Sequence, residues 1–151
     1  MLIFGCENYK PSDSSILVRA LLSSPDKIEI DGREFILETC LWRDFMPLSP
    51  PNGKPLIALI WVTATDSLEF PSSVDANRLW VVFNDEEVWE TDFSDEELPE
   101  EPNRKHQLAR IARDGPKWGP GIQVDVVVRI IDGENNIYLL KASNQLIYRT
   151  D

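Results

Sequence analysis

Residues 122–130, Ile122-Gln123-Val124-Asp125-Val126-Val127-Val128-Arg129-Ile130, alternate with period two. Ile122, Val124, Val126, Val128 and Ile130 share one face. Gln123, Asp125, Val127 and Arg129, followed by Ile131, take the other. Period two is the signature of a strand half-buried in a sheet. Asp132-Gly133-Glu134-Asn135 then turns the chain, Asn136 to Ala142 returns, and Gln145 to Thr150 adds a last strand after Ser143-Asn144.

Working upstream, the same pattern recurs. Lys27 to Ile30, Asp31-Gly32 and Arg33 to Trp42 read as a hairpin with a type I′ turn, for which Asp-Gly between alternating residues is the strongest short-range signal. In its second strand Phe35, Leu37, Thr39 and Leu41 share a face opposite Glu34, Ile36, Glu38, Cys40 and Trp42. Residues 44–55 carry Pro47, Pro50, Pro51 and Pro55 and read as a loop, because proline cannot donate to a ladder. Leu56 to Ala64 is apolar on both faces and reads as a central strand. Thr65 to Arg78 reads as a loop. Leu79 to Phe83 and Glu87 to Thr91 read as a second hairpin closed by Asn84, Asp85 and Glu86, with Leu79, Val81 and Phe83 opposite Trp80 and Val82. Two short helices are expected. Ser12 or Asp13 caps the first, with a stripe of Ile16, Leu17, Ala20 and Leu21 ended by Pro25. Asn103 caps the second, with Leu108, Ile111 and Ala112 as its stripe and Gly115-Pro116 as its end.

About eight strands joined mostly by turns predict an antiparallel β-sandwich, with a closed β-barrel as the alternative. Cys40 on the second strand and Trp61 on the third resemble the arrangement of an immunoglobulin-like domain. The late long strand has Val126 and Val128 where the partner cysteine would stand, so the resemblance concerns fold alone. The 151 residues suit one domain, residues 1–151, with an N-terminal helical arm (1–26) and an acidic loop (84–102). A chain of this length buries roughly two thirds of its unfolded surface and needs no covalent staple.

Composition limits the functions. At 42% hydrophobic and 27% charged residues, the chain is not of the disordered class. No apolar run approaches the ~20 residues of a membrane span. A net charge of −11 disfavours nucleic acid and anionic membrane surfaces as partners. Residues 84–101 hold ten acids and no base, whereas residues 102–151 carry a net charge of +3. Glu96 to Glu101 are therefore expected to fold back toward Arg104, Arg110 and Arg113, in a mobile, salt-sensitive loop whose order of charges suits a helix dipole. Cys6 and Cys40 are too few for a disulfide scaffold and read as reduced thiols of a cytoplasmic protein. Met1 to Gly5 contain no base and fall short of the ~7–15 apolar residues of an export signal.

Signals for chemistry are sparse. The lone histidine, His106, has no nucleophile signature beside it, and GxSxG, HExxH, P-loop and paired CxxC motifs do not occur. Gly115 to Gly121 lack the lysine–hydroxyl pair of a phosphate cradle and read as a rigid turn. The acids between Asp85 and Glu97 lack EF-hand spacing. Neither a metal nor a cofactor is implied. Trp42-Arg43-Asp44 and Lys117-Trp118 lie at strand–loop junctions, where an aromatic beside a charge is a common recognition pair, and Trp89 lies on the second hairpin. These six residues are the candidate ligand- or partner-binding positions. The expected role is a non-catalytic module binding a protein or small ligand through loops on a rigid scaffold. The alternatives are a carbohydrate-binding β domain using exposed tryptophans and a carboxylate-based hydrolase.

Overall fold

A computed structural model describes residues 17–151. Ser12, Asp13 and Ile16 of the expected first helix, and Cys6, lie outside the described residues. The strands are β1 (Ile28–Ile30), β2 (Arg33–Asp44), β3 (Leu56–Ala64), β4 (Asp75–Phe83), β5 (Glu87–Thr91), β6 (Gln107–Gly115), β7 (Gln123–Ile131) and β8 (Ile137–Thr150). They form one mixed sheet, strongly curled into a half-barrel, in the order β5-β4-β7-β8-β2-β3-β6, with β1 added to β2.

The expected two-sheet sandwich is thus replaced by a single sheet. The cause is β8, 14 residues long. Its first part pairs antiparallel with β7, from Ile131↔Ile137 to Gln123↔Leu146, and its end pairs parallel with β2, from Leu41↔Ile147 to Asp44↔Thr150. The expected break at Ser143-Asn144 is an irregularity within β8. Asn144 has φ 57° and its N–H donates to Asp125 Oδ1 at 2.9 Å. One strand passing from partner to partner joins edge to edge what short connections alone would equally allow to stack. Curling then lets the sheet bury its own concave face.

That face is the core. Val124, Val126, Val128 and Ile130 all point into it, beside Phe35, Leu37 and Leu41 of β2 and Leu79 and Val81 of β4. Cys40 and Trp61 are on the opposite, convex face, paired with Leu59 and Glu38, and both are half-buried. They do not occupy the positions that the immunoglobulin-like comparison requires. A smaller apolar cluster lies on the convex side, where Trp80, Val82 and Val127 pack under Val18 and Leu21. Residues 17–22 are helical, and Lys141 Nζ donates to the Leu22 carbonyl at 2.5 Å, capping the end. The buried stripe is Val18 and Leu21, with Leu17 and Ala20 exposed, because the sheet surface under the helix selects the face it covers.

Both hairpins have the expected registers. Asp31 and Gly32, at φ 52° and 78°, make the two-residue turn between Ile30 and Arg33. Asn84 and Asp85 are also at positive φ, in the turn that closes Phe83 on Glu87. Two expectations fail. The loop after β3 ends at Val74, since Asp75–Arg78 already belong to β4. The second helix is absent: a 3-10 turn at Pro102–Arg104 leads into strand β6, which pairs with β3. Alanine, arginine and leucine favour helix locally. The backbone ladder along the free edge of β3 outweighs that preference here.

Candidate functional site

Arg43 is 1% exposed. It sits one residue from the end of β2, on the concave side, and its guanidinium donates to four main-chain carbonyls. These are Lys54 at 2.9 Å, Lys117 at 3.1 Å, Gly119 at 2.6 Å, and Asn52. The ring of Phe45 stacks 4.9 Å from its centre. Burial pulls the guanidinium pKa down from its ordinary value. Asp44 supports the same corner: its carboxylate accepts the Met46 N–H at 2.9 Å, and Lys54 Nζ lies 3.8 Å away. The structure therefore brings Arg43, Asp44 and Lys117 together, with the guanidinium tying the 52–54 loop to the 117–119 loop.

The tryptophans are divided between faces. Trp42 is half-buried on the convex side, next to Tyr148 of β8. Trp89 faces the concave side and covers Gly115, where a Cβ would come within 2.7 Å of its ring. Trp118 packs on Phe83, ring centres 5.4 Å apart. Trp42, Trp89 and Trp118 do not pave one surface.

A cavity of another kind lies elsewhere among the described residues. It is a cleft of about 1040 Å³ between β6 and the segment 94–102 that follows β5. Phe93 is packed against the core, and the Ser94 N–H donates to the Ile111 carbonyl at 2.8 Å. From that anchor the chain leaves β6 as an acidic strap and returns at Pro102. Trp61, Phe70, Leu98 and Leu108 supply apolar lining; Glu69, Asp95, Glu97 and Glu100 supply carboxylates that make no ion pair among the described residues. Two other acids hold the strap down. Arg113 grips Glu96 through two hydrogen bonds of 2.6 and 3.0 Å, and Arg104 Nε meets Glu101 at 3.0 Å. The guanidinium of Arg104 also lies 4.9 Å from the Trp61 ring centre. Arg110 pairs with Asp75 at 2.6 Å instead of with the strap. The expected fold-back thus holds for Arg113, on strand β6, while Arg104 meets Glu101 locally at the 3-10 turn; no α-helix dipole is involved.

Arg113 holds the Glu96 carboxyl below the usual carboxylate range. That is opposite to the rise a general acid needs at neutral pH. Beside the cleft, Glu38 accepts from Thr63 Oγ1 and from Gln107 Nε2, both at 2.8 Å, and lines a smaller cavity with His106. Among the described residues no three His, Cys, Asp or Glu side chains are grouped to hold a metal ion. No helix among them is long and apolar enough to cross a membrane.

Sequence reasoning missed Trp61, Leu108 and Ala109 as cleft residues, because reading 103–115 as a helix removed the edge against which the strap lies. The alternation of Leu108, Arg110 and Ala112 with Ala109, Ile111 and Arg113 was the signal available. The fold and cleft together define a mainly β protein with a curled sheet and an acidic strap over one edge. Comparison with protein-family models, curated proteins and solved structures returned no match.

Proposed function

We propose that the protein is a non-catalytic interaction module of the cytoplasm whose cleft beside β6 receives a segment of a partner protein. The observation that supports this is the cleft itself: about 1040 Å³, half apolar in character, at the edge of a rigid sheet and walled by a strap fixed at Ser94, Glu96 and Glu101. Binding sites concentrate where irregular segments are held by rigid scaffolds. The unpaired carboxylates in the wall repel nucleic-acid phosphates and anionic lipid, so neither is the proposed partner.

Site-specific photocrosslinking in cells tests the reading. A benzophenone side chain at Leu98, within the cleft, should capture discrete proteins that the same group at exposed Ile137 does not. Equal capture at the two positions, or none at Leu98, overturns it.

A further inference from the structure

Among the described residues β6 is the last strand of the sheet and has a strand partner, β3, on one side only. Along an antiparallel strand, successive residues direct their N–H and C=O groups to opposite sides. The Ala64 N–H donates to the His106 carbonyl at 2.9 Å, which places the even-numbered residues toward β3. The Ser94 N–H donates to the Ile111 carbonyl at 2.8 Å, which places the odd-numbered residues on the free side. Gln107 and Ala109, both lining the cleft, therefore turn their backbone groups into it. The Ala109 carbonyl already accepts from Arg110 Nη1 at 2.9 Å; its N–H faces the cleft. The strap does not satisfy this edge. Among the described residues it gives β6 that one backbone hydrogen bond from Ser94 and then diverges, carrying Pro99 and Pro102, which have no N–H to donate.

An unpaired edge is a template for another strand. The open stretch is bounded by the Lys105 carbonyl, which accepts the Phe70 N–H at 2.9 Å, and by the Ile111 carbonyl, which accepts from Ser94, so it offers Gln107 and Ala109, roughly 7 Å at about 3.4 Å per residue, to two or three extended residues. The opposite wall sets the sign of the occupant's charge: among the described residues Glu69, Asp95, Glu97 and Glu100 line the cleft without ion pairs, against one such base, Lys105. A second copy of this chain would bring acidic strap against acidic strap, so self-pairing at this edge is disfavoured.

We infer that the cleft takes an extended, lysine- or arginine-bearing segment of a partner protein, added as a strand to β6 at Gln107 and Ala109 with its basic side chains toward Glu97 and Glu100. This rests on the interaction-module reading above and narrows it to a partner chemistry.

The probe is a fluorescein-labelled octapeptide alternating lysine and valine, compared with the same peptide carrying serine or glutamate for lysine. Fluorescence anisotropy is read at low and high salt. The lysine peptide should bind at least tenfold tighter than the serine peptide and weaken severalfold in 0.3 M salt, and the glutamate peptide should not bind. The double variant Glu97→Gln/Glu100→Gln should lose the preference for lysine. Ala109→Pro should weaken binding at least tenfold, since proline removes the edge donor at a position where a sheet tolerates it. If that variant does not fold, amide exchange on the unmodified protein reads the same contact: the lysine peptide should slow exchange at Ala109. Equal binding of the lysine and serine peptides, or unchanged exchange at Ala109, overturns the inference. Should the lysine peptide fail while benzophenone at Leu98 still captures proteins, the partner chemistry falls and the module reading stands; failure of both removes both.

Discussion

Arg43 stands first by volume among the fully buried side chains of the described residues. It is held by carbonyl dipoles, with a stacked ring beside it. Removing it leaves four part-buried acceptors with fewer partners, and each group left unsatisfied away from water costs about 1–3 kcal/mol. Some of those carbonyls can be rehydrated at the loop surface. Arg43→Met should therefore destabilise by about 2–4 kcal/mol, read as the urea midpoint. Arg43→Lys should recover less than half of the loss, because an ammonium has no fork to span loops on both sides. Full recovery by lysine would show that charge, rather than geometry, holds the corner.

A second residue-scale expectation concerns pH. Arg33 donates to both Asp66 oxygens, at 2.8 and 3.0 Å, and this pair, with the Leu68 N–H, lowers the Asp66 pKa from 3.8 to about 2. A carboxyl depressed on folding contributes stability that is complete above its unfolded pKa and is lost as pH falls through the folded value. The wild type should be more stable than Asp66→Asn at pH 6, and the difference should vanish between pH 4 and about 2. A gap unchanged at pH 2 would mean that the contribution does not come from the ionised pair.

At the scale of the element, two glycines separate conformation from space. Gly32 has φ 78° and nothing within 4 Å of a built Cβ, so the cost of Gly32→Ala is one of backbone conformation, about 1–2 kcal/mol. Gly115 ends β6 at an ordinary φ, but a Cβ there would meet the Trp89 ring at 2.7 to 2.9 Å. Gly115→Ala should therefore be relieved by Trp89→Leu, and Gly32→Ala should not. Thermal unfolding of the three single variants and the two doubles reads the coupling. Additivity at Gly115 and Trp89 would separate β5 from β6 at this end.

The hairpin and β6 also show how local and non-local information differ. Asp31-Gly32 specifies its turn within two residues, because the turn requires two positive φ angles and those residues accept them. Gln107 to Gly115 has no comparable local signal. Its strand conformation follows from β3, more than forty residues earlier in the chain, whose backbone groups need partners. The candidate site inherits the same asymmetry. Arg43 and Lys117 were legible as residues at strand–loop junctions, but not that a guanidinium would reach a carbonyl 74 residues away.

At the scale of the whole molecule, the concave face is the core and should tolerate no charge. Val126→Asp places an unpaired carboxylate among Val81, Ala142 and their neighbours and should abolish the folded state, while Gln123→Asp, on exposed surface, should stay within about 0.5 kcal/mol of wild type. The strap should respond in two parts. The Ser94 amide, bonded to β6 beside half-buried Phe93, should exchange slowly at any ionic strength. Amides of 97–101 should exchange fast, and faster still when salt weakens the pairs at Glu96 and Glu101. Uniform, salt-independent protection from 94 to 101 would mean that the strap is packed throughout.

The sequence by itself determined what depends on neighbours: the alternation that makes β7, β3 and both hairpins, the prolines that break residues 44–55, the mainly β class and the concentration of acid between 84 and 101. Side-chain direction, turn angles and charge density are set within a few residues, so the linear chain carries them. The tertiary structure alone decided how the strands share partners. Period two gives each strand two edges and two faces but does not say which edge meets which. Long β8, antiparallel to β7 and then parallel to β2, is what makes one curled sheet of strands whose short connections also allow two stacked sheets. With the curl came a concave core, β6 at the sheet's end, and the cleft under the acidic strap. Each of these depends on backbone hydrogen bonds between residues far apart in sequence, which no local pattern encodes.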